Sequence, residues 1–158
     1  MRKLIFGALL AIGVIQPAAA QTASGQFDVN ITLTAGCSLS AITAVDFAYT
    51  SFQGGIANAT NGGFSVTCTN SLPYTFGLQS GAGAATPPGA ATIGPINDDA
   101  VNLAYSLALS AAGGVGSGAA QGYSVTGTMA AGQAGTCAVS PCNNGAATNN
   151  THTLIVNY

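Results

Sequence analysis

One histidine, His152, four cysteines and the adjacent carboxylates Asp98 and Asp99 are the residues here with reach into chemistry. A Ser–His–Asp triad would have to combine His152 with Asp28, Asp46, Asp98 or Asp99. The chain has no Gly-x-Ser-x-Gly turn to present the nucleophile. A zinc site would have to draw on Cys137, Cys142 and His152. Zinc sites use closely spaced ligand pairs with free thiolates, which an oxidising compartment does not preserve. A plain disulfide beside a surface or edge histidine is the simpler reading. Asp98 and Asp99 are neighbours, so on a strand they point opposite ways, and Pro95 marks a loop just before them. That predicts a solvated turn with at most an adventitious Ca²⁺ contact. No catalytic residue, metal or cofactor is expected, and the chain does not read as an enzyme.

The compartment follows from the start of the chain. Residues 1–20 read as a secretory signal peptide: Arg2 and Lys3, then an apolar run over residues 4–15, then Ala18-Ala19-Ala20 for cleavage. The run falls short of the ~20 residues needed to span a bilayer. Arg2 and Lys3 are the only basic residues, so removing the leader leaves a chain with no Lys or Arg at all. Nucleic acid is excluded as a partner because nothing can neutralise phosphates. Stable association with an anionic membrane is excluded on the same ground. Stability has to come from burial, backbone pairing and disulfides. Four cysteines allow three pairings; Cys37–Cys68 with Cys137–Cys142 is favoured, and the two alternatives stay open.

The elements that would carry these groups are strands. Phe27-Asp28-Val29-Asn30-Ile31-Thr32-Leu33-Thr34 alternates strictly, placing Phe27, Val29, Ile31 and Leu33 on one face. Further alternation predicts strands at Ala44 through Tyr49, at Phe64 through Cys68 behind an Asn61-Gly62 turn, and at Pro73 through Leu78. Others are predicted at Asn102 through Leu109, more weakly at Tyr123 through Met129, and at Thr151 through Tyr158. Connectors rich in Gly, Ala and Pro over residues 80–95 and 111–122 read as surface loops. Strands without helices predict an all-β sandwich. The last strand has no expected neighbour on one side, which would leave a groove of core side chains and unpaired backbone.

The ordered set resembles the spore coat U domain family, the pilins of the archaic chaperone–usher pathway. It runs from Gly25-Gln26-Phe27-Asp28-Val29 to Ala35-Gly36-Cys37, and on through Gly62-Gly63-Phe64-Ser65-Val66-Thr67-Cys68-Thr69. Pro73-Tyr74-Thr75-Phe76, Leu103-Ala104-Tyr105, Val125-Thr126-Gly127 and Thr153-Leu154-Ile155-Val156-Asn157-Tyr158 then follow in family order. The resemblance implies an incomplete immunoglobulin-like sandwich, over residues 37–158, completed by a donor strand. Residues 21–36 would be the donor extension, with Phe27, Val29, Ile31 and Leu33 filling pockets. His152, Leu154, Val156 and Tyr158 would edge the acceptor groove, and Cys37 and Cys68 match the family's disulfide. The implied partners are neighbouring pilus subunits, a periplasmic chaperone and an outer-membrane usher. The product would be an extracellular fimbria supporting adhesion and biofilm formation, with the chain as a shaft or adaptor subunit. A self-complemented, single-domain secreted adhesin or coat protein is the alternative. Asn149-Asn150-Thr151-His152-Thr153 departs from the family's approach to its closing strand, and the Cys137–Cys142 loop is an addition to its pattern.

Overall fold

A computed structural model describes residues 21–81 and 89–158. The expected leader, residues 1–20, and part of the expected loop, residues 82–88, lie outside the described residues. The chain divides into two units, Met1–Thr32 and Leu33–Tyr158. In the first unit, residues 21–32 form neither helix nor strand. The strand expected from Phe27 to Thr34 is therefore absent, and Phe27, Val29, Ile31 and Leu33 are 72–86% exposed. Alternation creates a face, but a strand exists only when another strand takes its backbone hydrogen bonds.

The second unit is an all-β, immunoglobulin-like sandwich of two antiparallel sheets, with no helix among the described residues. Its strands are β1 (Cys37–Leu39), β2 (Ala57–Cys68), β3 (Pro73–Ser80), β4 (Thr92–Asn97), β5 (Ala104–Leu109), β6 (Gly113–Val115), β7 (Gln121–Met129) and β8 (His152–Asn157). One sheet has the order β1-β2-β7-β5-β4 and the other β6-β3-β8. Among the described residues no helix is long and apolar enough to cross a membrane.

Inward positions follow the alternation read from the sequence. Tyr74, Phe76 and Leu78 of β3 face Phe64, Val66, Cys68, Tyr105, Leu107, Val125 and Met129 of the larger sheet across the core. Asn61-Gly62 is not a turn: β2 runs straight through it with a register shift against β7 between Ala59 and Gly62. That bulge adds one residue, so buried positions switch from Ala57 and Ala59 to Gly62, Phe64, Val66 and Cys68 without turning the strand over. Gly62 is required there, because a Cβ would lie 2.6 Å from the Val125 carbonyl oxygen and 2.6 Å from Val45 Cγ2.

Two strands stand where loops are expected, β4 starting inside residues 80–95 and running two residues past them, and β6 inside residues 111–122. Both are short edge strands, and β4 is interrupted between Ile93 and Ile96, so their sequences carry little periodicity. Ala44 through Tyr49 shows the opposite departure. Val45, Phe47 and Tyr49 turn inward and their neighbours outward, but the segment joins no ladder. It is held instead by Thr43 N–H on the Gly63 carbonyl (2.9 Å) and Asp46 N–H on Asn61 Oδ1 (3.1 Å). Cys37 pairs with Cys68 in the β1–β2 register, and disulfides join Cys37 to Cys68 and Cys137 to Cys142.

Candidate functional site: an open cleft between the sheets

The two sheets are unequal in width. With strands ~4.8 Å apart, five span about 19 Å between edge axes and three about 10 Å. About two strand widths of the larger sheet's inner face therefore lack cover. Residues 42–51 overlie part of that gap, and the remainder is a cleft of about 1060 Å³. One wall carries Val45, Phe47 and Tyr49, and the other carries His152 and Leu154 of β8. Leu107, Val125 and Met129 of the larger sheet form the floor, and Leu78 of β3 lines the cleft from the smaller sheet. β8 is the edge of its sheet, with β3 on one side and no strand on the other among the described residues.

Each wall is held in place by identifiable bonds. Tyr49 donates its hydroxyl hydrogen to the Ala130 carbonyl (2.8 Å) and accepts the Gln133 N–H (2.9 Å), pinning residues 42–51 to the end of β7. β8 pairs with β3 from Thr75–Asn157 to Ser80–His152. The far end is closed by the loop carrying Cys137 and Cys142, whose two cysteines line the cleft.

Asp98 fixes that loop. The expectation of a solvated carboxylate pair fails for this residue, which is only 2% exposed. Its Oδ1 accepts Ala100 N–H and Val101 N–H (2.9 Å each), closing the β4–β5 turn, and its Oδ2 accepts Asn144 Nδ2–H (2.9 Å). A buried carboxylate is tolerable when its oxygens are hydrogen-bonded in this way. Asp99 is exposed and accepts the Thr148 N–H (2.9 Å) and the Thr148 hydroxyl, bonds that hold its carboxyl below the usual range. Both carboxylates tie the loop to the β4–β5 turn, and their oxygens face backbone, amide and hydroxyl donors. Among the described residues no three His, Cys, Asp or Glu converge as metal ligands would.

His152 is the chemically richest group in the cleft. It sits on the edge strand as expected, but it turns inward and is partly buried. Nε2 lies 2.7 Å from the Tyr105 hydroxyl, while Nδ1 is buried and has no hydrogen-bond partner among the described residues. Burial pushes the imidazole below its ordinary pKa. Tyr105 is pushed up, by burial first and then by the charges of Asp98 and Asp99.

The residues expected to edge a groove divide accordingly. His152 and Leu154 line the cleft, and Val156 packs against the core beside it. Tyr158 lies beyond β8, is 63% exposed and is not part of this cleft's lining; the ladder with β3 ends at Asn157. Sequence reasoning missed the opposite wall. The alternation of Val45, Phe47 and Tyr49 was the available signal, but it says nothing about whether the space beside them is filled.

The Spore Coat Protein U domain model matches residues 23–154, from the exposed N-terminal segment to Leu154 on the cleft wall. Comparison with curated proteins and with solved structures gives no match. With most of its length covered by that match, the chain belongs to the Spore Coat Protein U domain family, a family of structural, coat-type and pilus-like surface domains.

Proposed function

We propose that this chain is a fibre subunit assembled by donor-strand exchange, its cleft being the acceptor for the N-terminal segment of a neighbouring copy or related subunit. The observation that carries the reading is the unequal width of the sheets, which leaves a cleft with an apolar floor beside β8, the edge strand of its sheet among the described residues. Residues 21–36 supply a matching element. Phe27, Val29, Ile31 and Leu33 are exposed and alternate along the sequence, so that an extended strand would put them on one face, and eight extended residues reach ~26 Å. Adding such a strand to a sheet edge is β-augmentation, in which backbone bonds give affinity and alternate side chains fill pockets. Head-to-tail donation is heterologous and does not close, so it propagates a filament.

The four side chains would contribute about 6–12 kcal/mol on burial, comparable with the cost of ordering the segment at ~1–2 kcal/mol per residue. Durability of the fibre then rests on backbone pairing and a high barrier to release. On this reading residues 1–20 direct export, a periplasmic chaperone protects the cleft, and an outer-membrane usher passes the subunit to the surface as a fimbria serving adhesion and biofilm formation.

The test is electrophoresis of surface material from the producing cell in SDS, unboiled beside boiled, with and without residues 21–33. A ladder of subunit multiples that collapses on boiling and disappears on deletion is the expected result. Monomer alone in both lanes, with a deletion variant that loses stability as a monomer, overturns the fibre reading in favour of a self-complemented module.

A further inference from the structure

Cleavage after Ala20 would leave Gln21 at the head of the donor arm, with a free α-amine on the same residue as a side-chain carboxamide. Residues 21–35 are all exposed and join no helix or strand. Among the described residues no hydrogen bond holds the Gln21 side chain, so it is free to turn back on its own backbone. The α-nitrogen and Cδ of one glutamine close a five-membered lactam, and such intramolecular attack gains from proximity. An α-amine titrates near ~7.7–8.0, so at pH 7 about a tenth of the chains hold the neutral, nucleophilic form.

We propose that Gln21 is a modification site whose α-amine closes on its own carboxamide, giving the exported subunit a pyroglutamyl end. This rests on the export and donor-strand reading. No co-reactant is needed. A bond forms between the α-nitrogen and Cδ, the Cδ–Nε2 bond breaks, and Nε2 leaves as ammonia with the proton given up by the α-nitrogen. The consequence is particular to this chain. Lys3 and Arg2 leave with the leader, so the α-amine is the only primary amine that remains. Closing it leaves a subunit with no amine to be acylated, condensed with an aldehyde or recognised by an aminopeptidase. An exposed, unpaired terminus is where proteolysis concentrates, and end-on trimming would shorten the arm that carries Phe27, Val29, Ile31 and Leu33. The arm holds no Lys or Arg for a trypsin-like endoprotease, and ring closure shuts the end-on route as well. Gln21 precedes Phe27 by six positions, so the ring leaves the pocket-filling side chains unaltered.

The test is mass spectrometry of the N-terminal peptide of exported material from the producing cell, beside the variant Gln21→Ser. Pepsin is the protease, because the leaderless chain has no trypsin site. The expected peptide begins at residue 21 and is lighter than its unmodified form by one ammonia. The parent subunit should take up no amine-acylating reagent at neutral pH and the variant one label. The variant should also show ragged ends within residues 21–33, where the parent has a single end. A peptide that begins at Gln21 with its amine intact overturns the inference and leaves the donor-strand reading untouched. A peptide that begins elsewhere overturns it together with the cleavage reading. A ring in the parent with equally uniform ends in the variant overturns the protective role. Loss of the unboiled SDS ladder from both chains overturns donor-strand exchange, while the peptide mass still decides whether the ring forms.

Discussion

The two flanks of this sandwich are built from the same alternating strands, yet one is closed and the other open. On the closed flank Phe64, Tyr74, Phe76 and Tyr123 form a continuous aromatic cluster, with ring centroids 4.6–6.4 Å apart. β6 covers β3 there, and Cys37–Cys68 ties β1 to β2. On the open flank the aromatics Phe47, Tyr49 and Tyr105 are spread along the cleft, with Phe47 and Tyr105 6.0 Å apart, and aliphatic side chains alternate with polar ones in the lining. The difference separates folding from assembly. Rings that pack on one another hold the unit together, while the Leu, Val and Met side chains on the cleft floor are adaptable surfaces against which an inserted apolar strand could pack.

The sharpest way to break this comparison is one polar or truncating substitution on each side of it. Ile31→Asp should abolish the SDS-resistant ladder, because an unpaired carboxylate buried in the cleft costs several kcal/mol. It should leave the melting temperature of the subunit unchanged, since Ile31 is 85% exposed. Phe76→Ala should do the reverse, lowering unfolding free energy by about 3–5 kcal/mol in a urea titration through loss of its contacts with Phe64, Tyr74 and Tyr123. Equal effects of both variants on subunit stability would erase the division between the flanks.

The disulfides sharpen it further, with a smaller effect. Cys37–Cys68 closes a separation of 31 residues, and chain entropy assigns its loss ~3.7 kcal/mol. Cys137–Cys142 closes a separation of 5, and the same relation gives ~2 kcal/mol. Replacing each pair by serine should therefore lower the urea midpoint more on the closed flank. The Cys137→Ser/Cys142→Ser variant should show its larger consequence in assembly, since those residues wall the cleft. A ladder unchanged in that variant, with stability lowered as much as in the Cys37 pair, would contradict the assignment.

How much of this was legible beforehand follows from what periodicity can carry. Alternation fixed which way Tyr74, Phe76, Leu107 and Val125 face, because each lies in a strand with neighbours on both sides. It also found the face of Val45, Phe47 and Tyr49 but wrongly predicted a ladder, since hydrogen-bonding partners are a property of the sheet. The cleft itself depends on a count of five strands against three, which no local pattern contains. Asp98 was misjudged for a related reason. Its burial requires Asn144, which lies 46 positions away, to arrive as a donor.

The smallest effect, and the most discriminating between flanks, is the response to pH. Tyr74 is 3% exposed, donates to Gln121 Oε1 (3.0 Å) and shares a 2.5 Å contact with the Tyr123 hydroxyl. Burial, then the hydrogen bond with Tyr123 and that residue's charge, push its pKa up to about 12. The unfolded chain releases this proton near ~10, so the folded state is the one that keeps it. Its stabilisation is complete below the unfolded pKa and disappears as pH rises through the folded one, between ~10 and ~12. His152 on the open flank has the opposite sign. Its folded pKa is depressed by burial, so its contribution is present above the unfolded value near ~6.5 and fades as pH falls through the folded one. Urea midpoints measured across the range should therefore decline at both ends. Tyr74→Phe should flatten the alkaline limb only in part, because Tyr105 is also pushed up. With no free cysteine, thiolate-driven disulfide exchange contributes nothing to that limb. His152→Asn should flatten only the upper part of the acid limb, because Asp99 is also held low, and filling the cleft with a donor peptide of residues 21–36 should move His152's share of that limb while leaving Tyr74's share of the alkaline one in place. A peptide that shifted both limbs equally would mean that the flanks unfold as one unit, with no separate open side for assembly to exploit.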